Sequence, residues 1–416
     1  GIFGTFTLEI MLMLSTPKVI KATLLSSLLV ANSGAYATQV GGGTADNTTV
    51  NIDNEAIYTN ALVSATNNGT LNFGGNLSVT GDSSITADNN SSIKVGKKLT
   101  VITDSSVTKN KIVGIHNNSS LTVNGDLFSS RENDNINWDG DFQVSDNSKL
   151  NVKGDAEFAG NSLLHLKDGS AATIDGSLSI NHNTKSYGEN VVGTNSSLTV
   201  NGNLNVNAVY SNDSSDEDPH SYTPGKLFAS GEGSAITVKG NTTVRDNAQL
   251  FAQTYSIGAP GDNESKTKDE FKNVAKAIFE GDVDVSNNAG LASFAAADVT
   301  VQGDLNASTG ALIETRASGA TLTVKGNGSI TGDGTTIQVG NTGNDYIEGN
   351  LTLEDKALAN IYDNSTLNVG GDFYATDASV KVNNNSSLNV GGALNAEGTQ
   401  INGNKSTLSV GRDFTL

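Results

Sequence analysis

A short phrase recurs along most of the chain: Leu or Ile, any residue, Val, any residue, Gly, then Asp or Asn and an apolar-x-apolar pair. Its clearest copies span residues 119–128, 148–158, 196–206, 234–244, 320–330, 365–375, 386–396 and 406–416. The closing glycine of each copy serves as a ruler: Gly75, Gly125, Gly140, Gly154, Gly176, Gly202, Gly240, Gly281, Gly303, Gly326, Gly349, Gly371 and Gly392, with Lys97 and Arg412 in the same slot. From Gly281 onward the spacing is 20 to 23 residues. A period of this size is typical of proteins built from stacked repeats.

Within each copy apolar and polar side chains alternate, as in Leu121-Thr122-Val123, which is the two-residue period of a strand with one buried face. Two such strands and a looser third, for example residues 84–87, account for one coil. The sequence therefore predicts an all-β chain folded as a right-handed parallel β-helix with about 20–23 residues per coil. Some 15 coils spaced about 4.8 Å apart would give a rod on the order of 70 Å long. An array of β-sandwiches is the alternative, and it would require antiparallel hairpins.

Glycine and asparagine are abundant, with 46 Gly and 51 Asn in 416 residues, and the chain has only four Pro, a residue that would remove a ladder hydrogen bond within a coil. We expect Gly and Asn at the corners, because both tolerate a positive φ. The residue after the ruler glycine is Asp at 126, 141, 155, 282, 304, 372 and 413, but Asn at 76, 203, 241, 327 and 350. Because Asn is neither an acid nor a base, this exchange indicates a turn residue that bonds its own backbone and argues against a catalytic carboxylate.

The first residues have the pattern of an export signal. Lys18 and Lys21 precede an apolar run over residues 22–31, and residues 35–37 (Ala-Tyr-Ala) form a small-x-small cleavage site. We expect residues 1–37 to comprise upstream residues and a cleavable Sec signal peptide, cut after Ala37. Residues 38–416 would form a single β-helix.

Two gaps in the ruler are close to double length, from Gly202 to Gly240 and from Gly240 to Gly281. They predict insertions at about residues 210–226, which is acidic, and 256–278. Thr267 and Glu270 have capping-box spacing, so we expect a helix over residues 268–278 with Phe271, Val274 and Ile278 on one face. Insertions often form the binding surface of a solenoid. The candidate binding residues are Asp216, Glu217, Asp218, Tyr222, Phe271 and Val274.

Composition limits the chemistry that the chain can perform. A net charge of −19 argues against phosphate-mediated binding of nucleic acid, and the absence of Cys excludes disulfides and thiolate sites. Residues 340–347 resemble one calcium-binding nonapeptide, but the next nine residues do not repeat it. The four His form no ligand pair, and the aromatic residues form no cluster along the sequence. We therefore predict no catalytic residues, no metal and no cofactor.

The leader followed by Asn-, Gly-, Thr- and Ser-rich β-helical repeats resembles the passenger region of bacterial type V autotransporters. The resemblance covers roughly residues 13–416 and rests on the composition and spacing of the repeat. It implies export through the periplasm, passage through an outer-membrane β-barrel translocator, and display at the cell surface or release. We expect that translocator barrel to be missing from this chain. The function to expect is that of an adhesin or self-association scaffold, whose partners are a host surface, a glycan or another copy. A carbohydrate-active β-helix enzyme (a polysaccharide lyase or glycosidase) and a released toxin passenger are the alternatives.

Overall fold

The computed structural model describes residues 43–132, 140–182, 189–208, 225–256 and 266–416. These residues form a parallel β-solenoid of 15 coils, in which every coil contributes one strand to each of three 15-stranded sheets. Each strand pairs in parallel with the equivalent strand one coil before and one coil after it, as Leu198 does with Ala172 and Ile236. The predicted all-β solenoid is confirmed, and the antiparallel alternative is wrong.

The strands of the first sheet carry most of the variable side chains, and the second sheet carries the repeated phrase. The first sheet consists of Gly43–Asp46, Leu62–Thr66, Ser84–Ala87, Val113–Ile115, Phe142–Val144, Leu164–Leu166, Glu189–Val192, Lys226–Ser230, Gln249–Gln253, Gly290–Phe294, Leu312–Arg316, Thr336–Gly340, Leu358–Ile361, Ser379–Asn383 and Gln400–Asn404. The second consists of Thr49–Ile52, Thr70–Phe73, Ser92–Val95, Ser120–Val123, Lys149–Val152, Ala171–Ile174, Ser197–Val200, Ala235–Val238, Lys276–Phe279, Asp298–Val301, Thr321–Val324, Asn344–Ile347, Thr366–Val369, Ser387–Val390 and Thr407–Val410.

The third sheet follows the ruler glycine and closes each coil. It consists of Ala56–Thr59, Leu77–Thr80, Leu99–Thr103, Leu127–Arg131, Ala156–Gly160, Leu178–His182, Leu204–Ala208, Thr242–Arg245, Val283–Ser286, Leu305–Ser308, Gly328–Thr331, Leu351–Glu354, Phe373–Thr376, Leu394–Glu397 and Phe414–Thr415. A single 3₁₀ turn, Lys268–Glu270, is the helical element among the described residues. No helix in this described part is long and apolar enough to cross a membrane.

One continuous apolar core runs through the solenoid. Inward positions of the repeated phrase, such as Leu121, Val123, Leu198 and Val200, are fully buried and stack on their counterparts in the neighbouring coils. The residues between them point outward, so the two-residue alternation read from the sequence is the one that the fold uses.

The ruler glycines stack directly on one another at the corner between the second and third sheets. The amide N–H of Gly326 donates to the carbonyl of Gly303, that of Gly349 to Gly326, and that of Gly371 to Gly349, at 2.9–3.1 Å. These glycines do not have a positive φ. Glycine is needed because a Cβ on Gly326 would overlap Oδ1 of Asp304 and lie 2.6 Å from the Gly303 carbonyl oxygen. The expectation that a positive φ selects glycine at this corner is therefore wrong.

The Asp or Asn after each ruler glycine forms a second ladder, which we call the Asx ladder. Its Oδ1 accepts a hydrogen bond from the backbone N–H of the same position one coil further on, for example from Asn327 N to Asp304 at 2.7 Å and from Asp372 N to Asn350 at 2.8 Å. Asp and Asn both have this oxygen, which explains why they exchange. The bond joins two coils, whereas the sequence predicted a bond within one turn.

Asn does occupy positive-φ positions, at the corner between the first and second sheets. Adjacent residues there both adopt left-handed backbone, as in Asn89–Asn90 and Asn384–Asn385. The serine that follows is buried, and its hydroxyl accepts from the backbone of the preceding coil, as in Ser91 N to Ser119 Oγ at 3.1 Å. The same bond joins Ser119 to Ser148 and Ser365 to Ser386. This serine ladder satisfies a buried amide at the corner.

Gly140 and Asp141 do not belong to the ladders, although the sequence places them there. The amide of Gly154 bonds to the carbonyl of Gly125, so those two glycines are neighbours in the stack. Gly140 precedes the strand Phe142–Val144 of the first sheet and has φ of 73°. Asp141 is 3% exposed, and burial raises its pKa to about 6. Counting Gly140 as a ruler glycine split the interval from Gly125 to Gly154 in two and so hid the extra residues of that one coil.

Asp345, in the calcium-like segment, occupies a core position. It is aligned with Leu322 and Leu367 in the second sheet and is fully buried. Neither carboxyl oxygen has a hydrogen-bond partner of normal geometry, and the same holds for the hydroxyl of buried Thr315. Burial raises the pKa of Asp345 to about 8, although the neighbouring Thr315 hydroxyl and Leu322 amide oppose the rise. Its side chain is therefore a neutral acid in the core at pH 7 and not a calcium ligand.

Replacing Gly303 by Ala should destabilise the solenoid by about 1–3 kcal/mol, because the new Cβ would overlap Asp282 Oδ1 and lie 2.7 Å from the Gly281 carbonyl oxygen. Gly290→Ala is the matched control, since its Cβ would meet nothing closer than 3.6 Å. The measurement is the urea midpoint of each variant. Equal midpoints for the two substitutions would contradict the close-approach explanation.

Asp345→Leu should stabilise the protein increasingly as the pH rises. Below about pH 4 the acid is neutral in both the folded and the unfolded chain. Its titration therefore contributes nothing there to the difference in unfolding free energy between the wild type and the variant. Between about 4 and 8 only the unfolded chain ionises, and the wild type should lose up to about 1.4 kcal/mol per pH unit relative to the variant. Thermal midpoints at pH 4.5 and pH 8 test this, with Asp345→Asn as a second non-titrating variant. A difference in thermal midpoint between Asp345→Leu and the wild type that does not change with pH would contradict this prediction.

Candidate functional site

Most of the candidate residues named from the sequence lie outside the described residues. This applies to the cleavage site at Ala37 and to Asp216, Glu217, Asp218 and Tyr222 of the first insertion. Phe271 and Val274 of the second insertion are described. Phe271 is half-buried at the surface, whereas Val274 is only 9% exposed.

The helix predicted over residues 268–278 is wrong. Thr267 N donates to Glu270 Oε2 at 2.6 Å, as the capping-box spacing predicts, but the 3₁₀ turn ends at Glu270 and Phe271 is extended. Lys276–Phe279 then joins the second sheet, where Ala277 and Phe279 enter the core and Ile278 points outward. The parallel pairing available to these residues in the second sheet outweighs the local helical pattern.

The segment 266–275 is fixed to the corner between the first and second sheets. The Phe271 ring stacks on Tyr255 with centroids 5.6 Å apart, and the Tyr255 hydroxyl lies 2.7 Å from Ser318 Oγ, two coils further on. Lys268 Nζ forms an ion pair with Asp298 and lies 3.3 Å from the Gly319 carbonyl oxygen. The insertion therefore reaches along the solenoid past the coil from which it emerges.

Aromatic side chains cluster on the outer face of the first sheet, although the sequence shows no cluster. Phe228 and Phe251 stack with centroids 4.4 Å apart and planes 7° apart, and Phe294 lies 5.6 Å from Phe251. These residues are far apart in the sequence, and the solenoid places them on consecutive coils. Phe228 and Phe251 are 5% and 8% exposed, so the accessible part of the cluster begins at Phe294.

We define the Arg316 patch as Phe294 together with four planar polar side chains next to it: Glu314, Arg316, Gln338 and Tyr362. The Arg316 guanidinium lies 5.2 Å from the centroid of the Phe294 ring, and its Nε is 3.3 Å from Glu314 Oε1. Gln338 Nε2 donates to Glu314 Oε1 at 3.2 Å and to the Tyr362 hydroxyl at 3.3 Å. The Tyr362 ring occupies the space that a Cβ on Gly340 would fill. Four successive coils thus contribute to one connected network.

Extra residues leave the coils at the two edges of the first sheet. Residues 104–112, 132–141, 183–188 and 209–225 connect the third sheet to the first, and residues 254–275 connect the first to the second. The strands that carry Phe228 and Phe251 come directly after and before the two insertions predicted from the sequence. These segments are therefore joined directly to strands of the first sheet.

A groove of about 280 Å³ lies on a different face, over the third sheet, and is lined by Lys98, Asp126, Leu127, Phe128, Asp155, Ala156, Glu157, Ser177 and Ser179. Oδ1 of Asp126 and of Asp155 accepts a backbone hydrogen bond in the Asx ladder, at 2.8 Å in each case. The carboxylates of the groove therefore have a structural role at one oxygen, and Phe128 supplies an aromatic ring beside them.

A serine and a histidine are brought together at the outer edge of the first sheet. Ser145 Oγ lies 2.6 Å from His116 Nδ1, and Lys111 Nζ lies 2.9 Å from His116 Nε2. The charged Lys111 has only donors, so Nε2 is the acceptor and Nδ1–H donates to Ser145. The Ser145 hydroxyl in turn donates to Asp146 Oδ2 at 2.9 Å. Burial and the Lys111 charge lower the pKa of His116. In this arrangement His116 is a donor to Ser145 and not its base.

Arg131, Arg245 and Arg316 differ in their surroundings. Arg131 is 1% exposed and donates to the carbonyls of Val107, Lys109 and Asn110, which fixes the neighbouring loop. Arg245 pairs with the adjacent Asp246 at 3.8 Å. Only Arg316 belongs to an accessible cluster. In the described ranges no three His, Asp or Glu side chains are placed to hold a metal ion.

No family model, curated protein or solved structure matches this chain.

Lys268→Met should loosen the second insertion without unfolding the solenoid, because it removes the ion pair to Asp298 and the contact to Gly319. We expect faster proteolytic cleavage within residues 257–275 and a urea midpoint close to that of the wild type. Lys272→Met is the matched control, since this exposed lysine lies in the same segment and forms no ion pair with a described residue. Equal cleavage rates in the two variants would show that Lys268 does not anchor the segment.

Proposed function

We propose that this chain is the β-helical passenger region of an exported, surface-displayed protein of the autotransporter type, and that it acts as an adhesin or self-association scaffold. The parallel solenoid of 15 coils and the export signal read in residues 1–37 support this proposal together. The Sec route, the outer-membrane translocator as partner in cis, and the location at the cell surface belong to the same proposal.

The observation that carries the proposal is the contrast between repeated and non-repeated surface. Outward positions repeat from coil to coil as Thr, Ser or Asn in long rows, such as Asn151, Thr173, Thr199 and Thr237 on consecutive coils of the second sheet. Such rows give many weak hydrogen bonds, each of modest net value. The outer face of the first sheet instead carries aromatic rings and the Arg316 patch. A long scaffold that presents one distinct patch is suited to binding a partner.

A carbohydrate-active enzyme is the second candidate function, favoured by the groove that contains Asp126, Asp155, Glu157 and Phe128. A glycosidase needs two carboxylates in the roles of acid and of base or nucleophile. The engagement of Asp126 and Asp155 in the Asx ladder weighs in favour of the adhesin. A released toxin passenger would share the export route.

Display of the chain on a non-adherent bacterium, fused to a translocator, should increase clumping or attachment to host cells. A display of the translocator alone is the control for expression and export, and surface labelling verifies that the chain is presented. A chain that is displayed at the surface but promotes neither clumping nor attachment would contradict the proposal. Hydrolysis of a polysaccharide that is abolished by Glu157→Gln would favour the enzyme instead.

A further inference from the structure

We propose that the Arg316 patch is a binding site for an uncharged oligosaccharide, whose sugar rings lie along the solenoid axis on the outer face of the first sheet. This inference rests on the proposed function as an adhesin and specifies its ligand class. From Phe294 to Tyr362 the patch covers four coils, or about 14 Å along the axis. That length accommodates a few linked sugar rings.

The patch presents hydrogen-bonding groups that the protein itself leaves available. Glu314 Oε1 is engaged by Arg316 and Gln338, whereas Oε2 accepts no hydrogen bond from a described residue. The Tyr362 oxygen accepts from Gln338, so its own O–H is available as a donor. The terminal nitrogens of Arg316 and the amide oxygen of Gln338 are engaged by no described residue either. Alternating donors and acceptors of this kind suit vicinal hydroxyl groups, each of which both donates and accepts.

The side chains of the patch are held in place before any ligand arrives. The guanidinium rests on Phe294, which in turn packs against Phe251, and the Tyr362 ring rests on Gly340, where any larger residue would displace it. Burial and the neighbouring Glu314 raise the pKa of Tyr362, which keeps the phenol protonated and able to donate. Such preorganisation reduces the entropy cost of binding.

Charge and exposure favour a neutral glycan over the other ligand classes. Arg316 and Glu314 form an ion pair, so the patch has no net charge, and the chain as a whole carries −19, which disfavours an anionic ligand. Protein interfaces are usually centred on accessible aromatic anchors. Here the two stacked rings, Phe228 and Phe251, are covered, Phe294 lies against the Arg316 guanidinium, and the other accessible groups of the patch are planar and polar. Arg316 has 41% and Glu314 13% of the side chain exposed, which leaves both within reach of a ligand.

The test is binding of the full chain to immobilised oligosaccharides from three groups: neutral glucans, mannans, galactans and N-acetylglucosamine oligomers; uronic acid oligomers; and glucosamine oligomers. Titration calorimetry then gives the affinity for the best neutral oligomer. Arg316→Ala should weaken binding about tenfold or more, and Tyr362→Phe about threefold to tenfold, because each removes a donor to the ligand. Lys381→Ala, an exposed residue on the same outer face one coil beyond the patch, should leave the affinity within twofold.

Unchanged thermal midpoints would show that these variants fold. A further variant, Arg316→Lys, keeps the charge but loses the planar guanidinium, and it should also bind the oligosaccharide weakly. Three results would overturn the proposal: binding only to charged oligomers, neutral binding that the patch variants do not weaken, or no binding to any neutral series. If the displayed chain still promotes attachment in any of these cases, the adhesin function stands and only its ligand is different.

Discussion

The close stacking of successive coils is the constraint on which the rest of the structure depends. Parallel strands pair at a fixed spacing, so every residue of a coil lies against its counterpart one coil away. Where the corner between the second and third sheets brings backbone onto backbone, glycine leaves room for the Oδ1 atom of the preceding coil, although Lys97 and Arg412 also occupy this slot. The Gly-Asx pair is therefore one device: the glycine admits the acceptor, and the Asp or Asn supplies it.

The same stacking explains which polar residues the interior tolerates. A buried serine at the other corner is satisfied because its neighbour one coil away presents an amide. Asp345 has no such counterpart, since its neighbours in the stack are Leu322 and Leu367, and it remains protonated. Asp141 is intermediate, because the Leu163 amide and the Arg131 charge partly offset the desolvation that raises its pKa. A repeated polar position is stabilised by its own copies, whereas a single one depends on partners from other residues, as Arg131 does.

A solenoid also turns distance in sequence into proximity on one face. Phe228, Phe251, Phe294 and Arg316 span almost ninety residues, yet they occupy four consecutive coils of the first sheet. The insertions connect to strands of that sheet, and the ladders of the described strands remain continuous. The repeat supplies a regular frame, and the irregular residues on one face of it form the candidate site.

The sequence by itself determined the repeat, the strands, the coil length and the inward positions. Strands with a two-residue alternation that recur at a constant period bury their apolar faces when the coils stack. From gaps in the glycine ruler it also predicted two long insertions. It misplaced Gly140 and Asp141, since a local Gly-Asp pair looks the same in or out of the ladder. It predicted a helix over 268–278, where pairing with strands from distant coils decides the conformation of residues 276–279. Only the tertiary structure decided that the Asx oxygen bonds the next coil, that Val274 is buried and that the Arg316 patch exists, because each depends on contacts between residues twenty or more positions apart.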